Sequence, residues 1–531
     1  MTFINSKISN HLPPITANYL EGERKLVPFF NRANEIENYL GQIKEKKKNY
    51  NNSYRKILNE ELKKQYDQIP NNTKQINHIN LLNDQNTFTV CTGHQLNLFT
   101  GPLYFFYKII DTIKICEQLK IKYSKYNFVP IFWMASEDHD FDEINFFKTN
   151  NHKFEWKVQS KGPVGRLKTE SLIDLSKQIR SYFKKVGLEN LISVFESSYL
   201  AGNDLSDSTF KLVHSFFAES GLVIIQPDNK NLKNLFKEIV KDELINKISF
   251  DRISNTNLNL KKSLDIKFKP QVNPREINIF YIRDGLRERI EFFDNVYRIT
   301  NTDISFSKKE ILDEIENFPE RFSPNALLRP VYQESLLPNL SYVGGGSEIA
   351  YWLQLKDYFE YLKIPFPILS VRTSVLLISE KQLKKLSKLK LKIEDIFLDI
   401  NNLKLKYLKN NSEISTDLSS IRNSIKQNFK DLYEFVIYTD KSFKGAVKAQ
   451  EKKQINGINK LEKRLIKAEK RKHKDFLNRI ELLKNELFPN NSFQERQLNF
   501  STFYNINNNN FLELINKNID PFNKEFKVIK Y

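Results

Sequence analysis

The chain has 531 residues, 40% hydrophobic and 13% aromatic, with 83 Lys and Arg against 64 Asp and Glu for a formal net charge of +19. Its 41 Phe and 23 Tyr can fill the cores of roughly three to four structural units and exclude global disorder, and no stretch approaches the roughly 20 apolar residues that span a bilayer. Met1 to Ser9 lacks an apolar core of signal-peptide length, and two cysteines, Cys91 and Cys116, make neither a disulfide framework nor a zinc set, so a soluble cytoplasmic protein is expected.

In chain order, residues 1–86 are polar with helical spacing, and helices are expected over Leu20 to Gln42 and Tyr54 to Gln65. Residues 87–149 open an α/β core. A β-rich run at Thr87 to Cys91 and a second at Asn127 to Ala135 flank a helix that begins near Gly101-Pro102 and ends about Lys120, which is a βαβ unit. Residues 150–204 are charged and are expected as an insertion, and residues 205–235 return to the core with a helix over Thr209 to Ala218 and a buried strand at Gly221 to Gln226. Residues 236–320 form a second insertion with a hairpin of Ile277 to Ile282 and Arg289 to Phe293 around Arg283-Asp-Gly285. Residues 321–375 complete the core with a helix over Tyr332 to Leu337, a strand at Leu340 to Val343, a helix over Ser347 to Leu362 and a strand at Phe366 to Val371. The alternation predicts a parallel sheet interrupted by insertions.

After Arg372 the pattern turns helical. Residues 376–488 are expected as a coiled-coil arm, with an apolar seam at Ile458, Leu461, Leu465, Ala468, Phe476, Ile480, Leu483 and Leu487 that passes through Lys472 as a stutter. A helix from about Leu418 to Tyr438 pairs with it as an antiparallel hairpin, and residues 489–531 fold back as turns and a short strand at Phe526 to Ile529. Residues 441–487 hold 15 Lys and Arg against 6 Asp and Glu, so a +9 excess sits in this one segment, and charge of this kind reports only non-specific affinity for nucleic acid.

The residues suited to chemistry follow the ends of the expected strands, where open α/β sheets bind ligands. Thr92-Gly93-His94-Gln95 is expected as a strand-to-helix turn whose N–H groups and imidazole can hold an anion. Glu137-Asp138-His139-Asp140 puts four ionisable side chains after an apolar strand, a costly arrangement unless they meet water, a ligand or each other. Strand-like alternation would put Asp138 and Asp140 on one side and Glu137 and His139 on the other. A divalent metal, an acid/base cluster and an ammonium site are the open chemical options, beside a structural role in capping and salt bridges. Gly344-Gly345-Gly346 allows close backbone approach or positive φ, with Ser347 as N-cap and Glu348 in the first helical turn. Arg329 and Arg372 are candidate anion contacts, and Cys91 is expected to be a buried thiol.

Thr92 to Tyr104, Pro130 to Asn145, Glu320 to Asn325, Leu328-Arg329-Pro330 and Gly345 to Trp352 together resemble the BshC family, the cysteine ligases of bacillithiol biosynthesis, and the resemblance covers essentially the whole chain in order. It implies a Rossmann-like parallel-sheet core akin to class I aminoacyl-tRNA synthetases, inserted connective regions, and a C-terminal antiparallel coiled-coil arm that can mediate a homodimer. It implies condensation of cysteine with glucosaminyl malate, the last step to bacillithiol. The synthetase motifs are incomplete, since Ser370 to Ser374 lacks the lysines of a KMSKS-like loop, so a route through ATP or another nucleotide is suggested by fold alone. Asp138, His139 and Asp140 are then candidates to orient or deprotonate the amine. Thr92, Gly93, His94, Gln95, Glu137, Gly344, Gly345 and Gly346 would frame the substrates, with Arg329 or Arg372 on the malate carboxylates; no metal is assigned. An RNA-binding synthetase relative and a structural coiled-coil protein are the alternatives, the second disfavoured by the ionisable residues at strand ends.

Overall fold

The computed structural model describes residues 2–264, 268–439, 441–506 and 509–531. Contacts divide the chain into two units, Met1–Leu376 with Gln494–Ile529 and Leu377–Phe493 with Lys530–Tyr531.

The first unit is built on five parallel strands, β1 (Thr87–His94), β2 (Asn127–Met134), β3 (Val223–Ile225), β4 (Asn339–Gly344) and β5 (Ile368–Val371), in the order β5-β4-β1-β2-β3. This is the strand order of a Rossmann-like sheet. β1 runs beside β2 from Thr87 opposite Asn127 to His94 opposite Met134, and β4 lies on its other side with Val343 opposite Thr92. Both faces of β1 and β2 are covered, which is why these strands read as continuous apolar runs. On one face Phe88, Val90, Leu340 and Ile368 pack against Ile115 and Leu119 of helix α1 (Tyr104–Lys122) and against Tyr39 and Ile43. Cys91 and Cys116 are buried free thiols.

Helix α2 (Arg329–Leu336) precedes β4, and helix α3 (Gly346–Trp352) follows it. The expected helix over Ser347 to Leu362 is broken into α3, a 3₁₀ turn at Leu353–Leu355 and a helix at Lys356–Tyr361. Leu20 to Gln42 is not one helix: Gly22 adopts φ +74° and Pro28 sits in a 3₁₀ turn, so the chain turns and restarts as a helix only at Tyr39. The expected hairpin forms as Ile279–Arg283 and Leu286–Phe293 within a five-stranded sheet. Phe322–Pro324, not expected as a strand, joins that sheet beside Ile279–Tyr281. The C-terminal strand Phe526–Lys530 pairs antiparallel with Thr2–Ile4.

In the second unit Ser419–Phe435 and Lys441–Lys472 form an antiparallel helical hairpin. Arg422 pairs with Glu462 at 2.7 Å near one end, and the Tyr433 hydroxyl reaches Glu451 at 3.1 Å nearer the other. The seam is not continuous. The long helix stops at Lys472 and restarts at Lys474, and Lys472 lies outside the stripe with its ammonium on Glu413 at 3.0 Å. Ile480, Leu483 and Leu487 are buried, whereas Leu461 is 53% exposed. Among the described residues no helix is long and apolar enough to cross a membrane.

Candidate functional site

Strand order places the switch point of the sheet between β1 and β4, whose following connections leave in opposite directions. A cavity of about 1000 Å³ opens there, lined by residues that follow β1, β2, β4 and β5, by Pro227 beyond β3, and by Gln271 to Arg275, Phe280 and Arg287 from the second insertion.

His94 ends β1. Its Nδ1 accepts the Gln95 backbone N–H at 2.9 Å, which leaves the hydrogen on Nε2, and among the described residues Nε2 is buried without a hydrogen-bond partner. Tyr104 and Phe105 pack against the ring with centroids 5.3 and 5.2 Å away. Burial, reinforced by the Lys108 charge, lowers its pKa to about 3, so the imidazole is a neutral N–H donor at the cavity wall.

Behind it lies a buried charge network. Lys108 of α1 donates to Gly93 O and to both Glu348 oxygens at 3.0 and 2.9 Å. Glu348 also accepts the Gly345 N–H and the Tyr342 hydroxyl, each at 2.7 Å. Burial pushes the Glu348 carboxyl up, but Lys108 and these donors hold it well below the usual range. Arg329 of α2 crosses the mouth of β1. Its guanidinium bonds Gln333 at 3.0 Å and lies 3.4–3.5 Å from the Tyr351 and Tyr342 hydroxyls, with no carboxylate partner among the described residues. A Cβ on Gly93 would sit 3.3 Å from Arg329 Nη1, so the glycine admits the arginine to the strand end.

The acid–histidine run leaves the strand geometry after Met134. Asp138 N–H returns to Ala135 O at 3.3 Å, and this turn replaces the expected alternation: Glu137, Asp138 and His139 all line the same cavity. Buried Glu137 pairs with Lys233. Burial pushes its carboxyl up, against the Lys233 charge. Asp138 accepts Gln95 Nε2 at 2.8 Å and the His139 N–H at 2.7 Å. Although burial opposes ionisation, these bonds and the Arg287 charge hold it far below the usual carboxylate range. His139 Nδ1 lies 2.8 Å from Arg287 Nη1 and 3.6 Å from Asp138, so only the arginine is at hydrogen-bond distance. Arg372, after β5, forms a buried ion pair with Glu495 at 2.7 Å, and Glu495 also accepts the Val375 N–H at 2.9 Å.

Two family models cover the chain: the N-terminal Rossmann-like domain of bacillithiol biosynthesis BshC matches residues 1–373, and the C-terminal coiled-coil domain of BshC matches residues 375–531. The protein belongs to the BshC family. Proteins named "Putative cysteine ligase BshC" from Flavobacterium johnsoniae and Christiangramia forsetii are 47% and 45% identical to it, over 99% and 98% of both chains, and one from Bacillus cytotoxicus is 28% identical over 99% of both.

In this BshC chain the cavity gathers Gly93, His94, Gln95, Glu137, Asp138, His139, Arg329, Gly345, Gly346 and Arg372. It leaves out three expected residues. Thr92 is still inside β1, where its hydroxyl donates to Val343 O at 2.8 Å and ties β1 to β4. Gly344 is the last residue of β4, and exposed Asp140 precedes the helical turn Phe141–Ile144. His94 is not at a helix start, because a 3₁₀ turn at Leu98–Thr100 intervenes before α1. The glycines after β4 do not use positive φ. They relieve crowding, since a Cβ on Gly346 would meet Pro13 at 2.8 Å. Gly345, not Ser347, caps α3, with Glu348 reaching back to its N–H. Sequence reasoning missed Lys108, Lys233, Arg287 and Glu495. Lys108 alone carried a signal, a charge inside the apolar run Tyr104 to Ile110. Among the described residues no three His, Cys, Asp or Glu side chains converge as a metal-ligand set.

Proposed function

We propose that the protein joins the carboxyl of cysteine to the amine of glucosaminyl malate through an amide bond, completing bacillithiol, and that it acts as a cytoplasmic C–N bond-forming ligase. The name shared by its relatives supports this. The observation that carries it is one cavity at the sheet's switch point holding an ionised carboxylate, two histidines and an arginine with no carboxylate partner among the described residues.

Amide formation needs a neutral amine and a carboxyl with a leaving group. Asp138 stays ionised and suits holding the substrate ammonium in line. His139 beside it can take the proton once its Nδ1 releases the Arg287 Nη1–H it accepts. Glu137 is tied to Lys233 and serves to anchor the turn. His94 Nε2–H and Arg329 fit an anion: among the described residues one is a buried donor with no hydrogen-bond partner and the other a guanidinium in no ion pair. A nucleotide, ATP or another, would be held there by its phosphates, and when bound it supplies the leaving group for the cysteine carboxyl. That use resembles the chemistry of class I synthetases. Arg372 is a poorer anion receptor because Glu495 already neutralises it. The helical hairpin of the second unit is proposed to hold a homodimer, with exposed Leu461 on the contact face.

The experiment is incubation of the purified protein with cysteine, glucosaminyl malate and each nucleoside triphosphate in turn, with mass spectrometry of thiol and nucleotide products. Bacillithiol formation coupled to hydrolysis of one nucleotide is expected. Absence of the thiol with every nucleotide would refute the activity. An RNA-binding role instead requires sequence-selective binding that survives roughly 200 mM salt.

A further inference from the structure

Arg287 enters the cavity from the second insertion, on the strand Leu286–Phe293, opposite Ile282 of the neighbouring strand. Its guanidinium lies 4.0 Å from the ring centroid of Phe280, the diagonal neighbour on the same face of the hairpin, so the aromatic ring fixes its plane. The other end of the hairpin is also held. Arg166 bonds Asp284 of the turn at 2.9 Å and grips Asp228, beyond β3, at 2.8 and 3.0 Å, while the Gly162 backbone packs so closely that a Cβ there would fall 2.5 Å from Leu286 N. Residue 287 is therefore carried on a braced strand and not on a free loop.

The donors of this guanidinium are unequally used. Nη1 is engaged by His139 Nδ1 at 2.8 Å. Among the described residues Nη2 has only Pro324 O at 3.4 Å, and Nε is buried with no hydrogen-bond partner. Among the described residues Arg287 makes no ion pair. Burial lowers the arginine's own pKa, and the nearest acid charges, Asp138 and Glu137, which already accept other donors, offset this only in part. A half-buried arginine with an unsatisfied inner donor is better satisfied when an anion reaches it. The under-used donors, Nε and Nη2, form an edge of the guanidinium that matches a carboxylate with two parallel bonds, and the other such edge uses the Nη1 already engaged by His139. Arg275 of the same insertion, exposed, also lines the cavity and supplies a second positive charge for a dicarboxylate.

We propose that Arg287 is the receptor for a carboxylate of the amine-bearing substrate, through its Nε and Nη2 edge, and so makes the second insertion the element that selects that substrate. This rests on the activity proposed above, in which the amine substrate carries a malyl dicarboxylate. A carboxylate seated on this edge displaces the weak Pro324 contact and lies beside Asp138 and His139, the groups assigned to the amine. The two poles of the cavity are then separate: Arg329 and His94 at the strand ends serve the activated carboxyl, and Arg287 serves the nucleophile.

The test is calorimetric titration of the full-length protein and of its Arg287→Gln and Arg287→Lys variants with glucosaminyl malate and with its malyl dimethyl ester. In the native protein the diacid should bind much more tightly than the diester. Arg287→Gln should weaken the diacid about 100-fold and leave the diester unchanged, as expected when one partner of a desolvated charge pair is removed. Arg287→Lys, which keeps the charge and loses the fork, should weaken the diacid about 10-fold. In turnover the loss should fall on the KM for glucosaminyl malate and not on that for cysteine. Tryptophan-monitored unfolding should be the same in all three proteins, and if the Gln variant unfolds the Lys variant decides. Equal diacid affinity in the native and variant proteins overturns the assignment of Arg287 while leaving the activity standing. A native protein that binds neither compound overturns both.

Discussion

His94 should carry a measurable share of the acid sensitivity of the first unit. Its folded-state pKa, about 3, lies below the ordinary value of 6.5 because the ring is buried beside Lys108. The unfolded chain therefore binds a proton that the folded chain refuses, and the native state loses stability as pH falls from 6.5 toward 3. With these two values the loss between pH 7.5 and 5.0 is about 2 kcal/mol. His94→Gln keeps a side-chain N–H donor near the Nε2 position but cannot titrate. The assay is urea unfolding at pH 7.5 and 5.0, followed by tryptophan fluorescence, because Trp133, Trp156 and Trp352 are all buried and all belong to the first unit. The native chain should lose about 2 kcal/mol more than the variant over this interval. Because other groups titrate in both proteins, only the difference is read. An identical pH slope in the two would mean that His94 titrates as an ordinary histidine, and the neutral donor assigned to the cavity wall would be lost with it.

Three further outcomes are expected. Asp138→Asn and His139→Ala should each lower thiol-product formation by about 100-fold or more, with the tryptophan unfolding midpoint unchanged; turnover near native in both would remove this turn from the chemistry. Glu495→Gln leaves Arg372 buried without its counter-charge and should cost the first unit about 3 kcal/mol in urea unfolding, whereas adding Arg372→Met should restore most of it. A double variant no more stable than Glu495→Gln alone would show that the pair is not the source of the loss. Leu461→Lys should convert a dimer to a monomer in light scattering, and an unchanged dimer would place association elsewhere than on the exposed side of the helical hairpin.

The sheet was readable because its signals are local. Asn127 to Met134 is a continuous apolar run, and Gly93 and the glycines after Val343 mark strand ends, so the polar segments following those strands could be assigned to one edge of the sheet before any contact was known. The failures have equally specific causes. The segment from Leu20 to Gln42 keeps helical spacing across Gly22 and Pro28, and the backbone demands of those two residues override it. The acid run after Met134 was taken to keep the alternation of a strand, but strand pairing ends there and the turn to Ala135 swings Glu137, Asp138 and His139 into one cavity. Lys472 fits a stutter by spacing alone, yet the helix breaks beside it and its ammonium goes to Glu413.

What no local pattern could supply is which charges are already answered. Arg329 and Arg372 looked equivalent in sequence, each a lone arginine near a strand end. Glu495, 123 residues beyond Arg372, neutralises one of them, and nothing of the kind meets the other among the described residues. Glu137 stood in an acid run but is tied to Lys233, 96 residues away, whereas Asp138 accepts only from Gln95 and the His139 N–H and forms no lysine or arginine ion pair among the described residues. Arg287, just outside the expected hairpin strands, carried no signal until the fold set it against His139, 148 residues earlier, with one edge of its guanidinium under-used. Availability for a ligand is a property of the pairing and not of the residue. A site whose residue types are plain in sequence therefore acquires its division of labour only once the distant partners are in place.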